Sequence, residues 1–129
     1  MYKILLVDDD TDFVASTKSV LESRPDYQVI TASDGVFSLP IARVTKPDLI
    51  ILDVIMPFED GFTAAKEFRA DPETAGIPII MLTSFSKRIG ETDISLSEGM
   101  TLDADDYIEK PVSPGELLRR VDRLFKEGK

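Results

Sequence analysis

Four apolar runs in this 129-residue chain end in groups that handle cations or phosphate. Ile4-Leu5-Leu6-Val7 runs into Asp8-Asp9-Asp10, and Leu49-Ile50-Ile51-Leu52 ends at Asp53. Ile79-Ile80-Met81-Leu82 leads to Thr83-Ser84, and Tyr107-Ile108 to Glu109-Lys110-Pro111. Each group has a chemistry of its own. Magnesium accepts one or two carboxylates and completes its shell with water and phosphate. A carboxylate can also act as a nucleophile, and a lysine offers phosphoryl oxygens a point charge. These groups can cooperate only if the fold brings them to one place.

The elements predicted around them do that. Short β-type runs over Lys3–Val7, Tyr27–Thr31, Asp48–Leu52, Ile77–Leu82 and Asp106–Glu109 alternate with helix-period segments, the pattern of a parallel α/β sheet. The first, third and fourth runs are continuously apolar, as central strands covered on both faces must be; the second and fifth are mixed and suit the edges. In such a sheet the carboxyl ends of the strands share one edge, where open α/β folds place ligands. Phe13, Thr17, Val20 and Leu21 repeat at helical spacing, as do Phe62, Ala65 and Phe68. The clearest helix carries Leu117, Leu118, Val121, Leu124 and Phe125 as one stripe, opened by Ser113-Pro114-Gly115-Glu116 with a cap serine and capping-box glutamate. Pro40 falls inside the expected second helix and predicts that it is delayed, kinked or shortened. Residues 90–102 carry two glycines and several hydroxyl side chains, which predicts a short or irregular helix.

Composition excludes several chemistries. With neither cysteine nor histidine, the chain has no thiol nucleophile, no Ser-His catalysis, no imidazole-bound zinc and no phosphohistidine of its own. A net charge of −9 argues against direct nucleic-acid binding, which rests on a basic surface. The N-terminal apolar run is four residues long, too short for a signal peptide or a membrane span, so no membrane insertion and a cytoplasmic location are expected. The length predicts one domain over 1–129, with no output domain in the chain.

In order and spacing, Leu6-Val7-Asp8-Asp9-Asp10, Leu52-Asp53-Val54-Ile55-Met56-Pro57 with Asp60-Gly61, Met81-Leu82-Thr83-Ser84 and Asp105-Asp106-Tyr107-Ile108-Glu109-Lys110-Pro111 resemble the response-regulator receiver domain of two-component signalling. The resemblance covers nearly the whole chain. It implies a flavodoxin-like, doubly wound (βα)5 fold with strand order 2-1-3-4-5 and helices on both faces. It also implies Mg²⁺-dependent transfer of a phosphoryl group to Asp53 from the phosphohistidine of a histidine kinase or histidine phosphotransfer protein. Asp9, Asp53 and the Ile55 carbonyl would bind the metal directly and Asp8 through water, while Asp10 caps the first helix. Lys110, aimed by a cis Lys110–Pro111 peptide, and Thr83 would contact the phosphoryl group, with Tyr107 as an aromatic switch.

By the same resemblance, phosphorylation would switch the surface of the family's fourth helix, fifth strand and fifth helix toward a downstream protein or into a phosphorylation-dependent dimer. The chain is then a signalling phosphoacceptor and no enzyme in the ordinary sense. Apolar Ile55 and Phe85 flank the family's path for hydrolytic water, which predicts a long phosphorylated lifetime. The segment Phe85–Ala104 is longer than in compact receivers and leaves the output surface open. Two rival readings remain at this point. Asp8-Asp9-Asp10 also fits the Asp-x-Asp motif of haloacid-dehalogenase-like phosphatases, with Asp8 as nucleophile. A receiver-like module that is never phosphorylated is the other.

Overall fold

The computed structural model describes residues 1–53, 61–83 and 105–127, except the side chains of residues 61, 62, 83 and 127. In chain order its elements are β1 (Tyr2–Val7), α1 (Thr11–Leu21), β2 (Tyr27–Ala32), α2 (Gly35–Thr45), β3 (Leu49–Asp53), α3 (Gly61–Ala70), β4 (Ile79–Thr83), β5 (Asp106–Glu109) and the C-terminal helix α4 (Pro114–Glu127). The strands form one parallel sheet in the order β2-β1-β3-β4-β5, a flavodoxin-like arrangement. The central positions of β1, β3 and β4 and the edge positions of β2 and β5 follow from hydrophobicity. All five residues of β3 are buried, whereas β2 has two exposed positions, Gln28 and Thr31.

Two apolar layers sandwich the sheet. On one face Leu5, Val7, Ile50, Leu52, Ile79 and Met81 pack with Ala42 of α2 and with Ala64, Ala65 and Phe68 of α3. On the other, Ile4, Leu6, Leu49, Ile51, Ile80 and Leu82 meet Leu21 of α1 and Leu117, Leu118, Val121 and Phe125 of α4. Successive side chains of a strand point to opposite faces, so this alternation follows from a central strand with helices on both sides. Burying each Leu, Ile or Phe stabilises the fold by about 1.5–3 kcal/mol relative to exposure. The predicted stripe of the last helix is the part that docks.

Helix starts are set by local chemistry. Asp10 caps α1 by accepting the Phe13 N–H at 3.1 Å, and Asp34 caps α2 by accepting the Phe37 N–H at 3.1 Å. Ser113 Oγ accepts the Glu116 N–H at 3.1 Å at the start of α4. The other half of the expected capping box is replaced: the Glu116 carboxylate accepts from Arg119 and Arg120. Pro40 does not delay α2, which begins directly after its Asp34 cap and runs through Pro40 to Thr45. Pro40 removes the hydrogen bond to the Val36 carbonyl, and both residues are exposed, which leaves that carbonyl open to water. The segment expected to hold a short or irregular helix, residues 90–102, lies outside the described residues.

Candidate functional site

Register decides which residues meet at the sheet edge. Val7 pairs with Leu52, so the next residues, Asp8 and Asp53, emerge side by side at the ends of β1 and β3. Asp53 pairs with Leu82, one residue before Thr83, and Thr83 pairs with Glu109, one residue before Lys110. Carboxylate oxygens of Asp8, Asp9 and Asp53 lie within 4.8 Å of one another. Asp8 and Asp53 are only 2% and 5% exposed, while Asp9 is open to solvent.

Three carboxylates at this spacing repel one another, and two are largely desolvated, so the cluster needs positive charge. Lys110 supplies part of it. Its Nζ donates to Asp8 Oδ2 at 2.8 Å and lies 3.7 Å from Asp53 Oδ1, and its side chain is 19% exposed. The Lys110–Pro111 peptide is cis. Asp8 is held further by its Oδ1, which accepts the Asp10 N–H at 2.9 Å, and by its own N–H, which extends the β1–β2 ladder to the Ala32 carbonyl. Among the described residues, one ammonium against three carboxylates leaves the cluster net negative. Hard oxygen donors on three converging residues match a magnesium-type cation that keeps several waters.

Among the described residues, then, Asp8, Asp9, Asp53 and Lys110 come together, and Asp10 stays out as the helix cap. Thr83 ends β4 on the same sheet edge. Tyr107 pairs with Met81 and packs, partly buried, against the layer covered by α2 and α3. Ile55, Phe85 and the motif residues Met56, Pro57, Asp60 and Ser84 lie outside the described residues. The sequence reading missed Phe13 at the site. Phe13 packs against the core layer with the rest of the α1 stripe, and its ring centroid also lies 4.7 Å from Lys110 Nζ. Its place in the first turn after the Asp8-Asp9-Asp10 run was the available signal.

A doubly wound parallel sheet that gathers acidic strand ends and a lysine at its carboxyl edge defines a class of α/β domains with a charged site at that edge. The profile of the response regulator receiver domain matches residues 4–122, and the chain belongs to that family, the receivers of two-component signal transduction. It is 44% identical over 124 residues to the alkaline phosphatase synthesis transcriptional regulatory protein PhoP of Bacillus subtilis, covering 96% of this chain and 48% of that protein. The chain thus spans about half the length of the curated relatives it matches. Among solved structures, chemotaxis response regulator CheY4 of Vibrio cholerae aligns with a TM-score of 0.81 and 32% identity, covering 96% of this chain and 98% of that one. The receiver domain of sensor histidine kinase PA1611 from Pseudomonas aeruginosa aligns with a TM-score of 0.79 and 29% identity over 95% of each chain; that domain was solved with a magnesium ion coordinated in its active site cleft.

The expectation of no nucleic-acid partner finds no support in these comparisons, since relatives such as PhoP are transcriptional regulators. Among the described residues, no helix is long and apolar enough to cross a membrane.

Proposed function

We propose that Asp53 accepts a phosphoryl group from the phosphohistidine of a histidine kinase or histidine phosphotransfer protein. The reading is carried by one observation: the Lys110 ammonium stands between Asp8 and Asp53 inside a cluster of three converging carboxylates. An Asp53 carboxylate oxygen attacks phosphorus; the P–O bond forms as the P–N bond breaks, and the imidazole leaves with that electron pair. Asp8, Asp9 and Asp53, with the Ile55 carbonyl, would hold Mg²⁺, which when bound supplies positive charge for the phosphoryl oxygens. Lys110 is poised to turn a donor from Asp8 to a phosphoryl oxygen. Thr83 would take a second phosphoryl oxygen, and Tyr107 would relay its movement to the output surface, which binds a downstream protein or a second phosphorylated copy. The chain forms one receiver domain over 1–129 that works in the cytoplasm and assists only its own phosphorylation and dephosphorylation.

The phosphatase-like reading with Asp8 as nucleophile is disfavoured, because the receiver-domain profile matches residues 4–122. The test is intact mass after incubation with Mg²⁺ and acetyl phosphate. The protein gains one phosphoryl group and Asp53→Asn gains none; wild-type protein that gains nothing contradicts the proposal and supports a never-phosphorylated module.

A further inference from the structure

Beside Asp8 and Asp53, Lys110 also meets the aromatic ring of Phe13. Lys110 Nζ lies 4.7 Å from the centroid of the Phe13 ring, within the range of a cation–π contact. Phe13 is not a free-standing aromatic. Its N–H bonds the Asp10 carboxylate at 3.1 Å, and the Asp10 N–H bonds Asp8 Oδ1 at 2.9 Å. Asp8 Oδ2 in turn accepts from Lys110 at 2.8 Å. The contacts therefore close a ring, Asp8 to Asp10 to Phe13 to Lys110 and back to Asp8. It joins the end of β1, the first turn of α1 and the residue after β5.

We propose that the Phe13 ring is a positioning element that holds the Lys110 ammonium over the acidic cluster. The proposal rests on the reading of Asp53 as acceptor. A lysine has a long, flexible stem, and here it must reach from the sheet's edge strand to the end of a central one. A further carboxylate at position 13 could hold the ammonium too, but it would consume a donor and add negative charge where phosphate must approach. An aromatic face attracts the cation without accepting a conventional hydrogen bond and without net charge. The ammonium keeps donors for the phosphoryl group, and contact with the ring limits the positions it samples. Phe13 touches no reacting atom, so its effect passes through Lys110.

Site-specific replacement of Phe13 by mono-, di- and trifluorophenylalanine weakens the negative ring face at nearly constant shape. Two readouts follow, in the full chain. Without metal or phosphodonor, the Lys110 ε-methylene protons are shifted upfield from the ordinary lysine position by the ring current, and Phe13→Leu returns them to it. With Mg²⁺ and acetyl phosphate, the rate of mass gain falls stepwise with fluorination, reaching roughly three- to tenfold for the trifluoro ring. In a Lys110→Ala background the same series is flat. Ordinary Lys110 shifts in the unsubstituted protein overturn the proposal, as does a rate indifferent to fluorination while Asp53 is still phosphorylated. If the unsubstituted protein is never phosphorylated, the reading of Asp53 falls and takes the role of Phe13 with it.

Discussion

At the residue scale the site is a charge imbalance held in place by packing. Asp8 and Asp53 end neighbouring buried strands, so they cannot move apart, and Asp9 adds a third carboxylate within reach of both. One lysine offsets part of the repulsion, and a cation would offset more. Saturating Mg²⁺ should therefore raise the melting temperature relative to EDTA, because a ligand at 100 times its Kd adds about 2.7 kcal/mol to stability. Asp53→Asn removes one of the three charges. It should gain stability in EDTA, on the order of 1 kcal/mol, and lose most of the magnesium response. Thermal melts of the two proteins with and without Mg²⁺ check both halves; an equal Mg²⁺ response in the variant would place the cation elsewhere.

At the element scale, much of the fold was legible because strand hydrophobicity and order are local signals. Leu49–Leu52 reads as a strand covered on both faces, and Leu117 to Phe125 as a helix with one buried stripe, and both are buried that way. The carboxylate edge followed from those strands ending in Asp8 and Asp53. Strand boundaries moved by one or two residues, since the ends of the ladders depend on partners that a local pattern does not contain. The run begun at Ile77 pairs from Ile79, for example, and the one ended at Leu52 includes Asp53. Phe13 was missed for a related reason: its place after the acidic run marks one side of the contact, while the other side, Lys110, is brought near by the sheet order.

Pro40 did not delay α2, since one missing donor on an exposed turn does not stop a helix that its Asp34 cap has already started. The proline penalty is still present in α2, where an alanine would restore the missing donor. Pro40→Ala should stabilise the protein by about 2 kcal/mol, the interior helix cost of about 3 less about 1 for a freer unfolded chain. Urea unfolding measures the change. A loss of stability on this substitution would mean that the ring makes contacts worth more than the restored bond.

Across the whole molecule, acidic groups also serve as ties between elements. Asp122 on α4 accepts from Arg24 Nη2 at 2.7 Å and from the Tyr27 hydroxyl at 2.6 Å, joining that helix to the start of β2. The Arg24 guanidinium, and secondarily the Tyr27 hydroxyl, hold the Asp122 carboxyl below the usual aspartate range. Burial, followed by the bond to Asp122, pushes the Tyr27 hydroxyl well above its ordinary value. Asp71 is lowered by the Glu73 N–H and then by Arg43, and Glu116 by Arg119 and then Arg120. A carboxylate whose folded pKa is depressed binds fewer protons than its unfolded counterpart. Its stabilisation is complete above the unfolded value, about 3.9 for aspartate and 4.3 for glutamate, and is lost as pH falls toward the folded one. Stability should therefore fall below about pH 4, and Asp122→Asn should flatten part of that slope. Urea midpoints from pH 3 to pH 7 test this; identical slopes would contradict it.

The same acidic molecule is proposed to function by gaining further negative charge at one chosen carboxylate. The most direct test is to locate that charge. After incubation with Mg²⁺ and acetyl phosphate, borohydride reduces an acyl phosphate of aspartate to homoserine, which peptide mass spectrometry assigns to a position. Homoserine at position 53, absent without phosphodonor, is the expected result. Homoserine at position 8 or 9, with Asp53 unchanged, would contradict the account.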